Sequence, residues 1–290
     1  MKFLWWRVWT FLFRFGTLAR ANRVFAGLPA GTWTTQRLFG QKIDLDVSRS
    51  TAQQLLVLEG ERAIEERHLL RRLLRPGMTA VDVGANIGYY LLLIEQVVGS
   101  RGKVICIEPS IENLPELRRN IASNRFSNVV LHEVALGDHE GEVGLRTGIN
   151  SGIANQDGAA YSVPLRRLDA LVDEPVHFLK IDVEGYEGQV LAGTEGLISR
   201  HKPVLFLELH PHIVGRFGYS VRGILDGLGR HYRQITLYER QPPEEQTLLD
   251  KIATRYLGRD PMQVVADPDS YVARFDRGDR PHTYWAVCTS

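Results

Sequence analysis

In the run "FLKIDVEGYE" the charged residues Lys180, Asp182 and Glu184 fall at every second position. On a strand, that period puts all three on one face. Charges in a buried strand are costly unless they pair or meet a ligand. A second run, "FLELHPH", repeats the spacing with Glu208, His210 and His212. Two more carboxylates close apolar runs: Asp82 in "VDVGANIGYY", and Glu108 in "KVICIEPS", 26 residues later. Such groups can take up a proton or hold a cation. Glu184 and His210 are the candidate bases for a hydroxyl that must lose its proton as a new bond forms, with Asp182 and Lys180 beside them. A histidine ordinarily titrates nearer neutrality. The rival device is a divalent ion that acidifies the hydroxyl. Asp182, Glu184, Glu208 and His210 offer the oxygen and imidazole ligands that magnesium or manganese takes. Lys180 and Asp182 equally read as a structural ion pair, His212 as a solvated loop histidine, and Asp169 as a helix N-terminal or turn residue.

The turn Gly84-Ala85-Asn86-Ile87-Gly88 after Asp82 is the candidate cofactor cradle. A dinucleotide site would show G-x-G-x-x-G and aim backbone amides at a pyrophosphate. That pattern is absent, and Asp82 would repel the pyrophosphate. A carboxylate there suits an amine, met directly or through water. S-adenosylmethionine carries an amine and a sulfonium and no phosphate. Gly84 allows close backbone approach, and Asn86 tolerates a left-handed φ. Glu108 can accept both ribose hydroxyls, a contact shared with nicotinamide sites. Asp138, closing "ALGD", can accept from an adenine amino group or cap a turn. None of the ten tyrosines is followed four positions later by lysine, which disfavours a nicotinamide-dependent oxidoreductase.

The elements that must position these residues alternate. Strands are expected at 42–47, "TAVDVG", "GKVICIEPS", "VVLHEVAL", "FLKIDVEG", "PVLFLELH", "YRQITLYER" and "TYWAVCTS". Between them lie the helical stretches "ERAIEERHLLRRLL", "GYYLLLIEQVV", "IENLPELRRNIASN", "EGQVLAGTEGLISR" and "VRGILDGLGRHY". Apolar strands alternating with helices predict an α/β fold with a mostly parallel sheet covered on both faces. Ligands then sit outside the carboxyl ends of the strands. The Gly/Ser/Asn-rich stretch 144–164 reads as a loop with some edge strand, and 241–283 as an insertion before the last strand. Either one suits a pocket cover or surface decoration.

The first 25 residues differ from the rest, holding three of five tryptophans and five of eleven phenylalanines. Arg7, Thr10, Arg14 and Thr17 form one narrow polar stripe on an otherwise aromatic and aliphatic helix. Phe3 to Phe15 would span roughly 20 Å, too short for a hydrocarbon core of about 30 Å. The pattern suits a helix lying in an anionic membrane surface, with packing on the protein's own core or on a twin subunit, or a signal peptide ending near Ala19-Arg20-Ala21, as the alternatives. Three parts are expected: an aromatic amphipathic helix over 1–27, a strand and helix extension over 28–75, and a catalytic domain over 76–290. The net charge of +1 gives no basic field for nucleic acid. Cys106 and Cys288 read as buried hydrophobes, which fits a reducing cytoplasmic compartment, with attachment at the inner membrane face.

The pieces "RPGMTAVDVGANIGYY", "GKVICIEPSIENLPELRRNIASN", "NVVLHEVALGD", "VPLRRLDALVDEP" and "FLKIDVEGYEGQVLAG" followed by "LFLEL" run in order over about residues 75–210. In them the chain resembles the FkbM-type S-adenosylmethionine-dependent methyltransferases. The resemblance implies a class I Rossmann-like fold with seven strands, the last antiparallel, and S-adenosylmethionine as methyl donor. It implies O-methylation of a hydroxyl on a glycan, lipid-linked sugar or polyketide-like molecule. It places Asp82, Gly84, Asn86 and Gly88 in the first cofactor loop, Glu108 at the ribose and Asp138 near the adenine. Lys180, Asp182, Glu184 and Gly185 come beside the methyl group. A membrane-associated binding protein on the same fold is the non-enzymatic alternative.

Overall fold

A computed structural model of the chain describes residues 24–60, 64–148, 152–153, 158–240, 262–276 and 284–290. The helix expected over 1–27 therefore falls, for residues 1–23, outside the described residues. No described helix is long and apolar enough to cross a membrane.

The described chain opens with an antiparallel hairpin, β1 (Trp33–Leu38) and β2 (Gln41–Asp46), followed by α1 (Thr51–Glu59) and α2 (Ile64–Leu73). The α/β alternation then runs β3 (Thr79–Val83), α3 (Tyr89–Val98), β4 (Lys103–Ile107), α4 (Leu114–Asn124) and β5 (Val129–His132). Next come β6 (Ala135–Leu136), β7 (Gly141–Leu145), β8 (Tyr161–Arg166), α5 (Leu168–Leu171) and β9 (Phe178–Ile181). Two short helices follow, α6 (Glu187–Ala192) and α7 (Glu195–His201), then β10 (Val204–Leu209), α8 (Pro211–Val214) and α9 (Val221–Leu228). β11 (Gln234–Arg240), β12 (Met262–Val264), α10 (Pro268–Asp276) and β13 (Tyr284–Thr289) complete it.

The main sheet has the order β12-β11-β13-β10-β9-β3-β4-β5. Its centre is parallel, and β13 runs antiparallel between β10 and β11. This is the expected arrangement of seven strands with the last antiparallel. An eighth short strand, β12, is added at the edge from within the 241–283 insertion.

Period two sorts each strand between two cores. Val81, Val83, Leu179, Ile181, Leu205 and Leu207 pack on one face, under helices α6, α7 and α9. Ala80, Val104, Cys106, Phe178 and Phe206 face the other, under α2, α3 and α4. Asp82 and Lys180 follow the second set, so the strand pattern itself drives both charges into the core beneath α3. Both cysteines are buried and free, as read.

Two expectations need correction. "VVLHEVAL" is not one strand: β5 stops at His132, and β6 joins a separate three-stranded sheet, β6-β8-β7. The stretch 144–164 supplies half of that sheet, through the hairpin β7–β8. "EGQVLAGTEGLISR" is two helices. A Cβ on Gly193 would lie 1.9 Å from the Gly137 carbonyl oxygen, so the chain passes that loop as glycine and restarts at Thr194.

The hairpin and α1 are fastened to α4. Asn120 accepts from the Asp44 amide at 2.6 Å and donates to the Ile87 carbonyl at 2.8 Å, linking hairpin, helix and glycine turn. Buried Glu116 takes the Gln53 amide at 2.7 Å and pairs with Arg49. Ser50 caps α1 by accepting from the Gln53 amide, the start of an S-x-x-Q pattern not recognised in the sequence.

Candidate functional site

The glycine turn follows β3 at the carboxyl edge of the sheet. Gly84 has φ 80°, Asn86 φ 51° and Gly88 φ 92°, so the turn runs through the left-handed region three times. A Cβ on Gly84 would sit 1.9 Å from the Asp182 carbonyl oxygen. The close approach that requires glycine is therefore to the loop after β9, whereas the sequence had suggested the ligand. Asn86 keeps its strained backbone as expected, and its amide donates to Glu108 Oε2 at 2.7 Å. Glu108 Oε1 accepts from the Ser110 amide at 2.9 Å. Burial pushes this carboxyl up while the Ser110 and Asn86 amides pull it down, and the balance stays above its ordinary value. Oε1 also accepts from Asn113 Nδ2 at 3.4 Å, so Oε2 is the oxygen that retains a lone pair for a further donor.

Beside the turn lies a cleft of about 270 Å³. Glu108 and Pro109 line one part of it, Asp182 and Glu184 another. Val134, Leu136, Leu145 and Ile153 give it an apolar wall from the small sheet and its hairpin. Gln53 and Leu56 of α1 reach it from the N-terminal module. The hairpin stretch thus borders the cleft through Leu145 and Ile153.

The charged cluster sits at the ends of β9 and β10. Lys180 and Asp82 are both fully buried, with Nζ 3.2 Å from Oδ1. Lys180 also lies 3.6 Å from Asp182 Oδ2 and 4.8 Å from the centre of the Tyr90 ring. Burial lowers its pKa, but the Asp82 and Asp182 charges outweigh this and hold it protonated. The expected strand alternation stops at Ile181: Glu184 stands in a left-handed turn at φ 52°, with its side chain 34% exposed. His210 is buried in the loop after β10, with Nε2 3.5 Å from Glu184 Oε2 and 3.9 Å from Glu208 Oε1. Its Nδ1 lies 2.6 Å from Glu187 Oε1. Burial lowers the imidazole pKa, but the Glu187 hydrogen bond and the surrounding carboxylates push it up to about 9. Burial raises Glu184 and Glu208, partly offset by His210.

The Methyltransferase FkbM domain matches residues 82–235, more than half of the chain. The chain belongs to the FkbM methyltransferase family. A protein-L-isoaspartate O-methyltransferase of Methanothrix thermoacetophila is 28% identical over 154 residues, covering 51% of this chain and 66% of that protein. The crystal structure of an FkbM methyltransferase from Methylobacillus flagellatus is 22% identical, covers 66% of this chain and 52% of that one, and gives a TM-score of 0.45. An S-adenosylmethionine-dependent O-methyltransferase from Thermotoga maritima is 14% identical over 93% of this chain and 81% of that one, with a TM-score of 0.42. The chain thus spans about half to two thirds of the length of the first two relatives.

Within this FkbM domain the structure brings Lys180, Asp182, Glu184, Glu208 and His210 together, and places Gly84, Ala85, Asn86 and Glu108 along the cleft. Two assignments do not fit. Asp82 has no exposure and is absent from the cleft lining: it faces Lys180, so it cannot meet an amine directly. Asp138 lies beyond β6 because the chain has already left the main sheet, and its exposed carboxylate pairs with His139 at 2.6 Å. With its pKa raised to about 9, His210 favours the protonated ring, so Glu184 is the better placed of the two candidate bases. Asp169 does end a helix: its carboxylate accepts from the Gly196 and Leu197 amides at the start of α7, at 3.1 and 2.6 Å. One atom each from Asp182, Glu208 and His210 lies within 4.8 Å of the others, close enough to share a small cation. Lys180 and the His210 imidazolium already place positive charge among these groups. Glu187 and Tyr90 were missed. Glu187 reads in sequence as an ordinary first-turn acid, and Tyr90 as an apolar helix residue.

Proposed function

We propose that this FkbM domain transfers a methyl group from S-adenosylmethionine to a hydroxyl of a glycan, a lipid-linked sugar or a polyketide-like molecule. The observation that carries the reading is one cleft bordered by a diol acceptor and by an excess of carboxylates. Glu108 suits the two ribose hydroxyls, and the apolar wall of Val134 and Leu136 suits the adenine. At the other end Asp182, Glu184, Glu187 and Glu208, with Asp82 beneath, outnumber Lys180 and His210. That imbalance favours a cationic donor. Asp182, which borders the cleft, suits the donor's amine better than buried Asp82 does. When bound, the sulfonium supplies the electrophilic methyl.

The acceptor must lie in line with the methyl carbon, so positioning supplies much of the rate. Glu184 borders the cleft, keeps a third of its side chain open to solvent, and has a raised pKa. It is the candidate base for the hydroxyl proton. Residues 1–25, with their aromatic and cationic residues, would bring the domain to an anionic membrane surface where a lipid-linked acceptor resides.

The deciding experiment uses the purified chain, S-adenosylmethionine carrying a labelled methyl group, and a total lipid and glycan extract. Label should enter a base-stable ether product. Label found only in protein carboxyl esters would reject the hydroxyl acceptor. Absence of S-adenosylhomocysteine binding in calorimetry would reject the cofactor.

A further inference from the structure

Glu187 is fully buried in the first turn of α6, yet among the described residues it pairs with no Lys or Arg. One oxygen, Oε1, does two things. It accepts from the Gly185 amide at 2.9 Å and meets His210 Nδ1 at 2.6 Å. Those partners belong to different loops. Gly185, at φ 101°, closes the left-handed turn that carries Glu184 after β9. His210 begins the loop after β10 and precedes α8. The two loops also touch directly: a Cβ on Gly185 would lie 2.2 Å from Ile213 Cγ2. With Nδ1 held, the opposite ring nitrogen faces Glu184 Oε2 at 3.5 Å and Glu208 Oε1 at 3.9 Å. A first-turn acid needs only to lie near a helix N-terminus, and the surface would serve. Burying this one is costly, and the two contacts together account for its place.

We propose that Glu187 is a positioning residue for the methyl transfer, tying the Glu184 turn and the His210 ring into one unit so that Nε2–H of His210 faces the carboxylate that receives the acceptor's proton. This rests on the methyltransferase reading above. In the step, the acceptor oxygen forms a bond to the methyl carbon as the carbon–sulfur bond breaks, and sulfur leaves as a neutral thioether. The hydroxyl proton passes to Glu184 and then to solvent at the open side of the cleft. His210 keeps Nδ1 toward Glu187 at 2.6 Å and Nε2 toward Glu184 at 3.5 Å throughout. The groups facing it are Asp182 and Glu184 from the loop after β9, Glu187 from α6, Glu208 from β10, and His212 from α8, whose ring centre lies 6.4 Å away.

The test is Glu187→Gln in the full chain, which keeps the shape and removes the charge. Three measurements are made: S-adenosylhomocysteine affinity by calorimetry, the His210 ring titration by nitrogen NMR, and label transfer into the lipid and glycan extract across pH. The expected result is near-normal cofactor affinity, a His210 titration moved down toward the ordinary value, and transfer slowed by about 100-fold. The acid limb of the pH profile should also shift. His210→Gln, which leaves Glu187 and the backbone contacts in place, should slow transfer to a similar extent, and it stands in if Glu187→Gln fails to fold. Unchanged transfer and an unmoved pH profile in the variant that folds would overturn the proposal. So would transfer that requires added manganese and stops with chelator, since a cation would then do the work given to Glu184. Failure of the wild-type chain to bind S-adenosylhomocysteine would remove the methyltransferase reading itself, and with it this proposal.

Discussion

Asp82 and Lys180 are register partners on adjacent parallel strands, and their charged atoms lie 3.2 Å apart with both side chains fully buried. The pair lies in the core, outside the lining of the cleft. Neither Asp82 oxygen makes an aligned hydrogen bond among the described residues. The pairing is thus one of charge, with Asp182 and the Tyr90 ring as the lysine's other neighbours. It also keeps Asp82 from meeting a cofactor amine directly, which is why we propose Asp182 for that contact.

Removing one member should be worse than removing both. Lys180→Met leaves Asp82 buried without its cation, a loss of about 3–5 kcal/mol. The double variant Asp82→Leu with Lys180→Met should recover much of it. Urea unfolding of the four chains measures this. A double variant as unstable as the sum of the singles would show that the charges act separately.

Gly84→Ala should weaken cofactor binding with little change in the sheet. The added methyl collides with the Asp182 carbonyl, 1.9 Å from the new Cβ, and φ 80° is unfavourable for alanine. The turn must move away from the loop carrying Asp182 and Glu184. With about 1–3 kcal/mol of strain to relieve, affinity for S-adenosylhomocysteine should fall roughly 10-fold to 100-fold. Calorimetry reads the affinity, and far-ultraviolet dichroism checks the fold. Unchanged affinity would mean that the turn does not border the cofactor.

The strand runs made the sheet legible in sequence. Their buried–buried alternation is strong in "KVICI" and "VLFLEL", and the order of elements then leaves few topologies. The glycine turn was legible because an acid precedes it and an asparagine replaces a glycine. What escaped depended on contacts between distant segments. No local signal says that Lys180 turns to Asp82, 98 positions earlier, or that Glu187 reaches His210. The expected position of Asp138 at the end of a third strand changes because the two-residue strand before it, β6, belongs to another sheet. Asn120 and Glu116 are polar residues of α4 with no local mark of their role. The hairpin whose amides they receive covers them.

Glu108→Gln should weaken cofactor binding more than it weakens the fold. One of the two oxygens becomes an NH2 donor, so only one of the Asn86 and Ser110 amides keeps its acceptor while the strands on either side are untouched. A ribose diol loses an ionised acceptor, worth about 1.5–3 kcal/mol. Affinity for S-adenosylhomocysteine should drop by roughly 10-fold or more. Methionine, which has no ribose, offers a control: its weak competition should be unaffected. Equal loss for both ligands would move Glu108 away from the diol.

The free protein should lose stability as pH rises from mildly acidic values. His210 has its folded pKa raised, from an ordinary 6.5 to about 9, because Glu187 and its neighbours outweigh burial. A raised folded value stabilises the native state fully below 6.5, and the contribution fades as pH climbs through about 9. Glu184 and Glu208 are also raised, so each favours the fold at low pH and ceases to help as it ionises, with the same sign. Asp44 is lowered, but its opposing effect appears only as pH falls below its ordinary 3.8. Urea midpoints should therefore fall steadily between about pH 6 and pH 9, by the equivalent of about 2–3 kcal/mol. His210→Asn should flatten that slope. A wild-type midpoint that rises over this range would show that His210 is neutral in the folded chain and that Glu187 does not hold its proton.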